Sequence, residues 1–147
     1  MYEHMLLPYD GSKEAKRGAT HGIELAAKLG STVHGLYVID LPGAPRAVAL
    51  RDDEESMRAE YREYGERELT TLGEIAAEHD VEFESHMRTG SPSDEIVDFA
   101  DEEKMDVIVM GSAYRGTLGN ILGGTTDRVV RSSPVPVITK RMEMHDQ

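Results

Sequence analysis

The sequence predicts an α/β fold: an open, doubly wound parallel sheet of five strands with helices on both faces, in one domain. Three observations carry this. Strand-like and helix-like segments alternate along the whole chain. The segments joining successive strands are too long for hairpins, which implies right-handed crossovers between parallel strands. Val107-Ile108-Val109-Met110 is an uninterrupted apolar run, the pattern of a central parallel strand covered on both sides. A length of 147 residues suits a single core, so 1–147 is read as one domain with a frayed tail at 142–147.

The elements follow in order. His4 to Tyr9 reads as a short apolar strand. Asp10-Gly11-Ser12 is a turn, with Ser12 as the N-cap of a helix whose stripe is Ala15, Ala19, Ile23, Ala26 and Leu29 and whose C-cap is Gly30. Thr32 to Ile39 is the second strand, and Leu41 to Ala47, with Pro42, Gly43 and Pro45, a loop. A long charged helix runs from about Asp53 to His79, with Leu69, Leu72, Ile75 and Ala76 facing the core. Val81, Phe83, Ser85 and Met87 alternate with polar residues, as in a strand with one wet face. Ser91, Pro92 and Asp94 announce a helix start with a cap and an N1 proline, and Ile96, Val97 and Ala100 form that helix's inner face. The apolar strand ending at Met110 follows, then the stretch Gly111 to Gly124, a helix to about Arg131 and a last strand, Val135 to Lys140.

Composition excludes several classes of function. With no cysteine there is no disulfide, thiolate metal site or catalytic thiol. No apolar run approaches a membrane span, and the first ten residues do not read as a signal peptide, so a cytoplasmic location and no membrane partner are expected. Acidic residues outnumber basic ones 28 to 16, a formal net charge of -12. The basic footprint of a nucleic-acid binder is missing. So dense a carboxylate surface fits a halophilic-type protein, in which high salt screens self-repulsion. The Walker, dinucleotide and nucleophile-elbow patterns are absent. Histidines 4, 21, 34, 79, 86 and 145 show no ligand spacing, so no metal site is expected.

The chemistry concentrates after the fourth strand. Gly111 leaves a buried strand where a missing side chain lets a ligand approach the backbone. Gly124-Thr125-Thr126 starts a helix, whose first N–H groups lie outside its own hydrogen-bond ladder at the positive end of the helix dipole. Hydroxyls at 125 and 126 can cap the helix or donate to a phosphate. The same residues also have a purely structural reading, as turn glycines and capping threonines. In a doubly wound sheet the ligand crevice lies at the carboxyl ends of the strands, where the strand order reverses.

Across nearly the whole chain the sequence resembles the universal stress protein family. Leu7-Pro8-Tyr9-Asp10-Gly11-Ser12 is similar to that family's first strand and turn, Leu36-Tyr37-Val38 to its second strand and Gly90-Ser91-Pro92 to its third junction. Asp106 to Ser112 is similar to its fourth strand, and Ser133-Pro134-Val135-Pro136-Val137 to its last. ATP-binding members carry a glycine, two residues, a second glycine, nine residues, then glycine and a serine or threonine. Gly111 and Gly124-Thr125 keep that spacing, whereas Tyr114 replaces the second glycine and Ala113 the usual neighbouring histidine.

The resemblance implies a stress-response regulatory protein that binds ATP, accompanied by Mg, or a related adenine nucleotide at the carboxyl ends of the strands. Pro8 and Asp10 would lie against the ribose and adenine, and Val38 would give the adenine a backbone contact. Met110 and Gly111 would line the floor, and Gly124, Thr125 and Thr126 would hold the phosphates. No catalytic residue is nominated, which leaves at most a slow ATPase. The alternative is a dimeric interaction protein of the same fold whose degenerate site binds no ATP. A homodimer through the last strand, Val135 to Thr139, is expected in either case: Pro136 suits an edge strand, and an apolar edge is closed by pairing with its own copy.

Overall fold

The computed structural model describes residues 1–40, 51–112 and 124–141. Strands and helices alternate as β1 (His4–Pro8), α1 (Lys13–Leu29), β2 (Thr32–Ile39), α2 (Arg51–Glu78), β3 (Phe83–Thr89), α3 (Pro92–Glu102), β4 (Val107–Ser112), α4 (Thr125–Ser132) and β5 (Val137–Arg141). The strands form one parallel sheet in the order β3-β2-β1-β4-β5. The chain winds outward from β1 to β3, then returns to the far side of β1 for β4 and β5, so the winding reverses between β1 and β4. The expected loop at 41–47 and tail at 142–147 lie outside the described residues.

Helices cover both faces. On one, Met5, Leu7, Val33, Val107 and Val109 pack against Ala19, Ile23 and Ala26 of α1 and Leu72 and Ala76 of α2. On the other, Leu6, Leu36, Ile108 and Met110 meet Ile96, Phe99 and Ala100 of α3 and Val129 of α4. The apolar run of β4 is therefore buried on both sides, as its pattern requires, and each large side chain so buried contributes about 1.5–3 kcal/mol.

The caps of α1 are as read. Ser12 Oγ accepts from the Ala15 N–H at 3.2 Å, and Gly30, at φ 74°, donates its N–H to the Ala26 carbonyl at 2.8 Å. Leu29, read as the last residue of the inner stripe, is exposed; it sits in the final turn, where the chain leaves the sheet at Gly30. Ser91 is the N-cap of α3 with Pro92 behind it, yet its side chain makes no capping bond. Its carbonyl instead accepts from Glu95 at 2.9 Å.

Two strands depart from expectation. Val81 precedes β3 and closes α2, donating its N–H to the Ala76 carbonyl at 2.9 Å. The polar face of β3 is wet only at its start, where Glu84 is exposed: further on the Phe99 ring of α3 stands 4.7 Å from the His86 ring and 5.0 Å from the Arg88 guanidinium, and Arg88 pairs with Glu102 at 2.8 Å. β5 begins at Val137, after Pro136, whose carbonyl accepts from Ile108 at 3.0 Å. The expected edge position of β5 holds.

Candidate functional site

The crevice is set by where the β1 ladders stop. The Glu3 carbonyl and the Tyr9 N–H bond toward β2, at 2.8 Å each, whereas the His4 carbonyl accepts from Asp106, the residue before β4, at 2.8 Å. By the alternation of a parallel ladder, His4, Leu6 and Pro8 face β4. Pro8 has no N–H to give. Pairing between β1 and β4 accordingly covers Met5–Val107 and Leu6–Ile108, against five pairs between β1 and β2. Beyond Leu6 and Ile108 the two strands part, at the point where the winding reverses.

The same alternation orients β2. Val33 N donates to Glu82 O and Gly90 N donates to Ile39 O, so these odd residues face β3, while Leu36 O accepts from Tyr9 on the β1 side. The Val38 N–H and carbonyl therefore point toward β1, one step past its last ladder bond. That is the orientation a backbone contact with a planar base at this position requires.

The β1–α1 turn borders the crevice. Asp10 Oδ1 accepts from the Ser12 N–H at 2.9 Å, and Gly11 adopts φ 84°, a conformation costly for any residue with a Cβ. α2 leans over this turn. A Cβ on Gly11 would lie 2.5 Å from both Glu68 Oε1 and the Tyr64 hydroxyl, and that hydroxyl is 3.5 Å from the Asp10 carbonyl. The Tyr37 and Tyr64 rings are 5.9 Å apart. Burial, reinforced by Glu68, pushes up the pKa of Tyr9. Burial and the neighbouring Tyr64 do the same for Tyr37. This α2 wall was not foreseen, because Tyr64 and Glu68 meet Gly11 only through the tertiary fold.

At the far side lies the start of α4. Its first backbone bond runs from Arg128 N to Gly124 O at 3.0 Å, so the amides of Thr125 and Thr126 precede the helix's own ladder. Gly124 is the N-cap, with no side-chain cap, and a Cβ there would find no atom of the described residues within 4 Å. Thr126 Oγ1 donates to the Gly111 carbonyl at 2.9 Å, which ties α4 to the end of β4. Met110 is buried in the core beneath α3 and α4.

Gly111 has a structural reason of its own. A Cβ there would fall on the Glu14 carbonyl oxygen. The space left by its missing side chain is filled by α1, not by the crevice. Tyr114, Ala113 and the rest of the glycine-rich stretch from 113 to 123 lie outside the described residues. A depression of about 510 Å³ along α1 on the β5 side is lined by Lys13, Lys16, Arg17, Thr20, His21, Glu24 and Lys140. It gathers cations beside the start of α1 in a chain of net negative charge.

The comparisons fit this geometry. A model of the universal stress protein family matches residues 1–141. The universal stress protein MJ0531 of Methanocaldococcus jannaschii is 31% identical over 142 residues, 94% of this chain and 81% of that one. Among solved structures, that of the hypothetical protein MJ0577 superposes with a TM-score of 0.82 at 26% identity, covering 98% of this chain and 99% of the other. A universal stress protein family protein from Arabidopsis thaliana, solved with AMP bound, shares the fold with a TM-score of 0.70 at 19% identity, over 97% and 94% of the two chains. Among the described residues no helix is long and apolar enough to cross a membrane. The chain belongs to the universal stress protein family.

Proposed function

We propose that this chain is a stress-response regulator that binds ATP, or a related adenine nucleotide, with Mg in the crevice between β1, β2 and β4. The base would bond to the Val38 backbone and lie near Pro8. Asp10 would meet the ribose, Met110 and Gly111 the floor, and Gly124, Thr125 and Thr126 the phosphates. Mg would screen phosphate charge. The carrying observation is the parting of β1 and β4 beyond Leu6, beside an α4 whose first turn is tied to the end of β4 through Thr126 and Gly111. A relative solved with AMP bound has the same fold, which supports an adenine nucleotide as the ligand.

The competing reading is an interaction protein with an empty site. It draws support from Gly111, whose smallness α1 already requires, and from Asp10, whose carboxylate the turn already uses. Heating the purified protein and chromatographing the supernatant separates the two. Released adenine nucleotide in near-stoichiometric amount supports the regulator. Its absence, together with an unchanged melting temperature in millimolar ATP and Mg, supports the empty site.

A homodimer through β5 belongs to both readings. Pro136 O bonds to β4, so Ile138 and Lys140 face β4, while Val137, Thr139 and Arg141 present their backbone groups outward, ready to pair with a second copy.

A further inference from the structure

Three histidines distant in sequence form a ladder across β1, β2 and β3, on the face covered by α3. His4 Nδ1 and His34 Nε2 are 3.1 Å apart, and so are His34 Nδ1 and His86 Nε2. The register explains this: His34 is opposite Glu84 and Leu36 opposite His86, so residues 34, 84 and 86 share one face of the sheet. Glu84 Oε1 lies 3.9 Å from both His34 Nδ1 and His86 Nε2. His34 is buried, His86 half-buried against Phe99, and Glu84 exposed. Burial, opposed by Glu84, lowers the His34 pKa below its ordinary 6.5, which favours the neutral imidazole that ligates metals.

We propose that His34 Nδ1, His86 Nε2 and the Glu84 carboxylate bind one borderline divalent cation of the zinc class. The three atoms mark a triangle with sides of 3.1, 3.9 and 3.9 Å. The point equidistant from its corners lies about 2.1 Å from each, the length of a zinc–imidazole or zinc–carboxylate bond. Two imidazoles and one carboxylate suit Zn²⁺, Ni²⁺ or Cu²⁺ and not Mg²⁺ or Ca²⁺, which take oxygen ligands. The other nitrogen of His34 is held by His4, the outer partner that fixes a ligating imidazole's tautomer and orientation. Exposure of Glu84 leaves the remaining coordination position to solvent. A cation here clips the edge strand β3 to β2. The cluster is distinct from the nucleotide crevice: the crevice lies past Pro8, whereas the ladder starts at His4, the first residue of β1.

The test is calorimetric titration of metal-stripped protein with Zn²⁺ alone. Potassium nitrate at about 0.5 M screens general attraction to the acidic surface. The expected result is one Zn²⁺ per chain and a raised melting temperature. Glu84→Gln and His86→Gln should each weaken binding about tenfold or more, while His79→Gln should leave it unchanged. In the wild type, Zn²⁺ should shift the imidazole NMR signals of His34 and His86 and spare those of His21 and His79, a readout independent of any variant's folding. Absence of binding below about 100 μM, wild-type affinity in both Glu84→Gln and His86→Gln, or shifts confined to other histidines would overturn the site.

Discussion

Gly18 of α1 and Gly111 of β4 meet backbone to backbone. A Cβ on Gly18 would fall on the Gly111 amide nitrogen, and one on Gly111 on the Glu14 carbonyl oxygen. This contact seats the start of α1 against the end of β4 and so fixes the β1–α1 turn at the crevice. Gly18→Ala should therefore destabilise the protein by overpacking, by about 1–3 kcal/mol, read as a lower urea midpoint at unchanged slope. A midpoint equal to wild type would mean that α1 can move away at little cost. The same contact makes Gly111 a poor probe of ligand binding, since its variants change packing first.

Alkaline pH should unfold the protein through Tyr9 and Tyr37. Both phenols have a raised pKa in the folded chain, chiefly from burial, against 10.0 for the unfolded one. The stability tied to the protonated phenols is complete below pH 10 and is lost as pH rises through the folded values, because the unfolded state releases its protons first. Tyr9→Phe should flatten the fall of the urea midpoint above pH 10; an unchanged slope would remove Tyr9 from this account.

Salt should stabilise the fold well beyond ordinary screening. The formal net charge of -12 on 147 residues favours expansion at low ionic strength. The denaturation midpoint should rise between dilute buffer and molar potassium chloride. A flat response would dismiss the halophilic reading of the surface.

Assembly is tested with Thr139→Pro. The Thr139 N–H points away from β4, so its loss spares the internal ladder and removes a donor from the outer edge. Light scattering should give a dimer for the wild type and a weakened one for the variant. A wild-type monomer, or an unchanged dimer, would move the interface elsewhere. Val137→Lys serves less well, because Val137 packs against the core beneath α3 and α4.

What could be read directly from the sequence is what short-range patterns encode. The buried run of β4, the Ser12 and Gly30 caps of α1 and the edge position of β5 all follow from neighbours within a few residues. The histidine ladder does not: His4, His34 and His86 lie on three strands, and only the register brings them together. The partial cover of β3's polar face was not legible either, because nothing in its own alternation says that Phe99 will lie over His86 and Arg88. Gly111 read as a ligand approach because its requirement comes from α1, about ninety residues earlier. Of the residues proposed to hold nucleotide, Pro8, Asp10, Val38, Gly124 and Thr125 were nominated from the family resemblance. Tyr64 and Glu68 were not, since α2 meets the Gly11 turn only in the folded chain.

The central claim is tested most directly by calorimetric titration of ATP and Mg into the wild type and Gly124→Val. Gly124 is the clean probe, because its φ of -69° suits any residue and a Cβ there meets no atom of the described residues within 4 Å. The account predicts saturable binding to the wild type and loss of binding in a variant that melts within a few degrees of it. Equal binding by Gly124→Val would contradict the assignment of the phosphates to the start of α4. No binding by the wild type would contradict the nucleotide site itself.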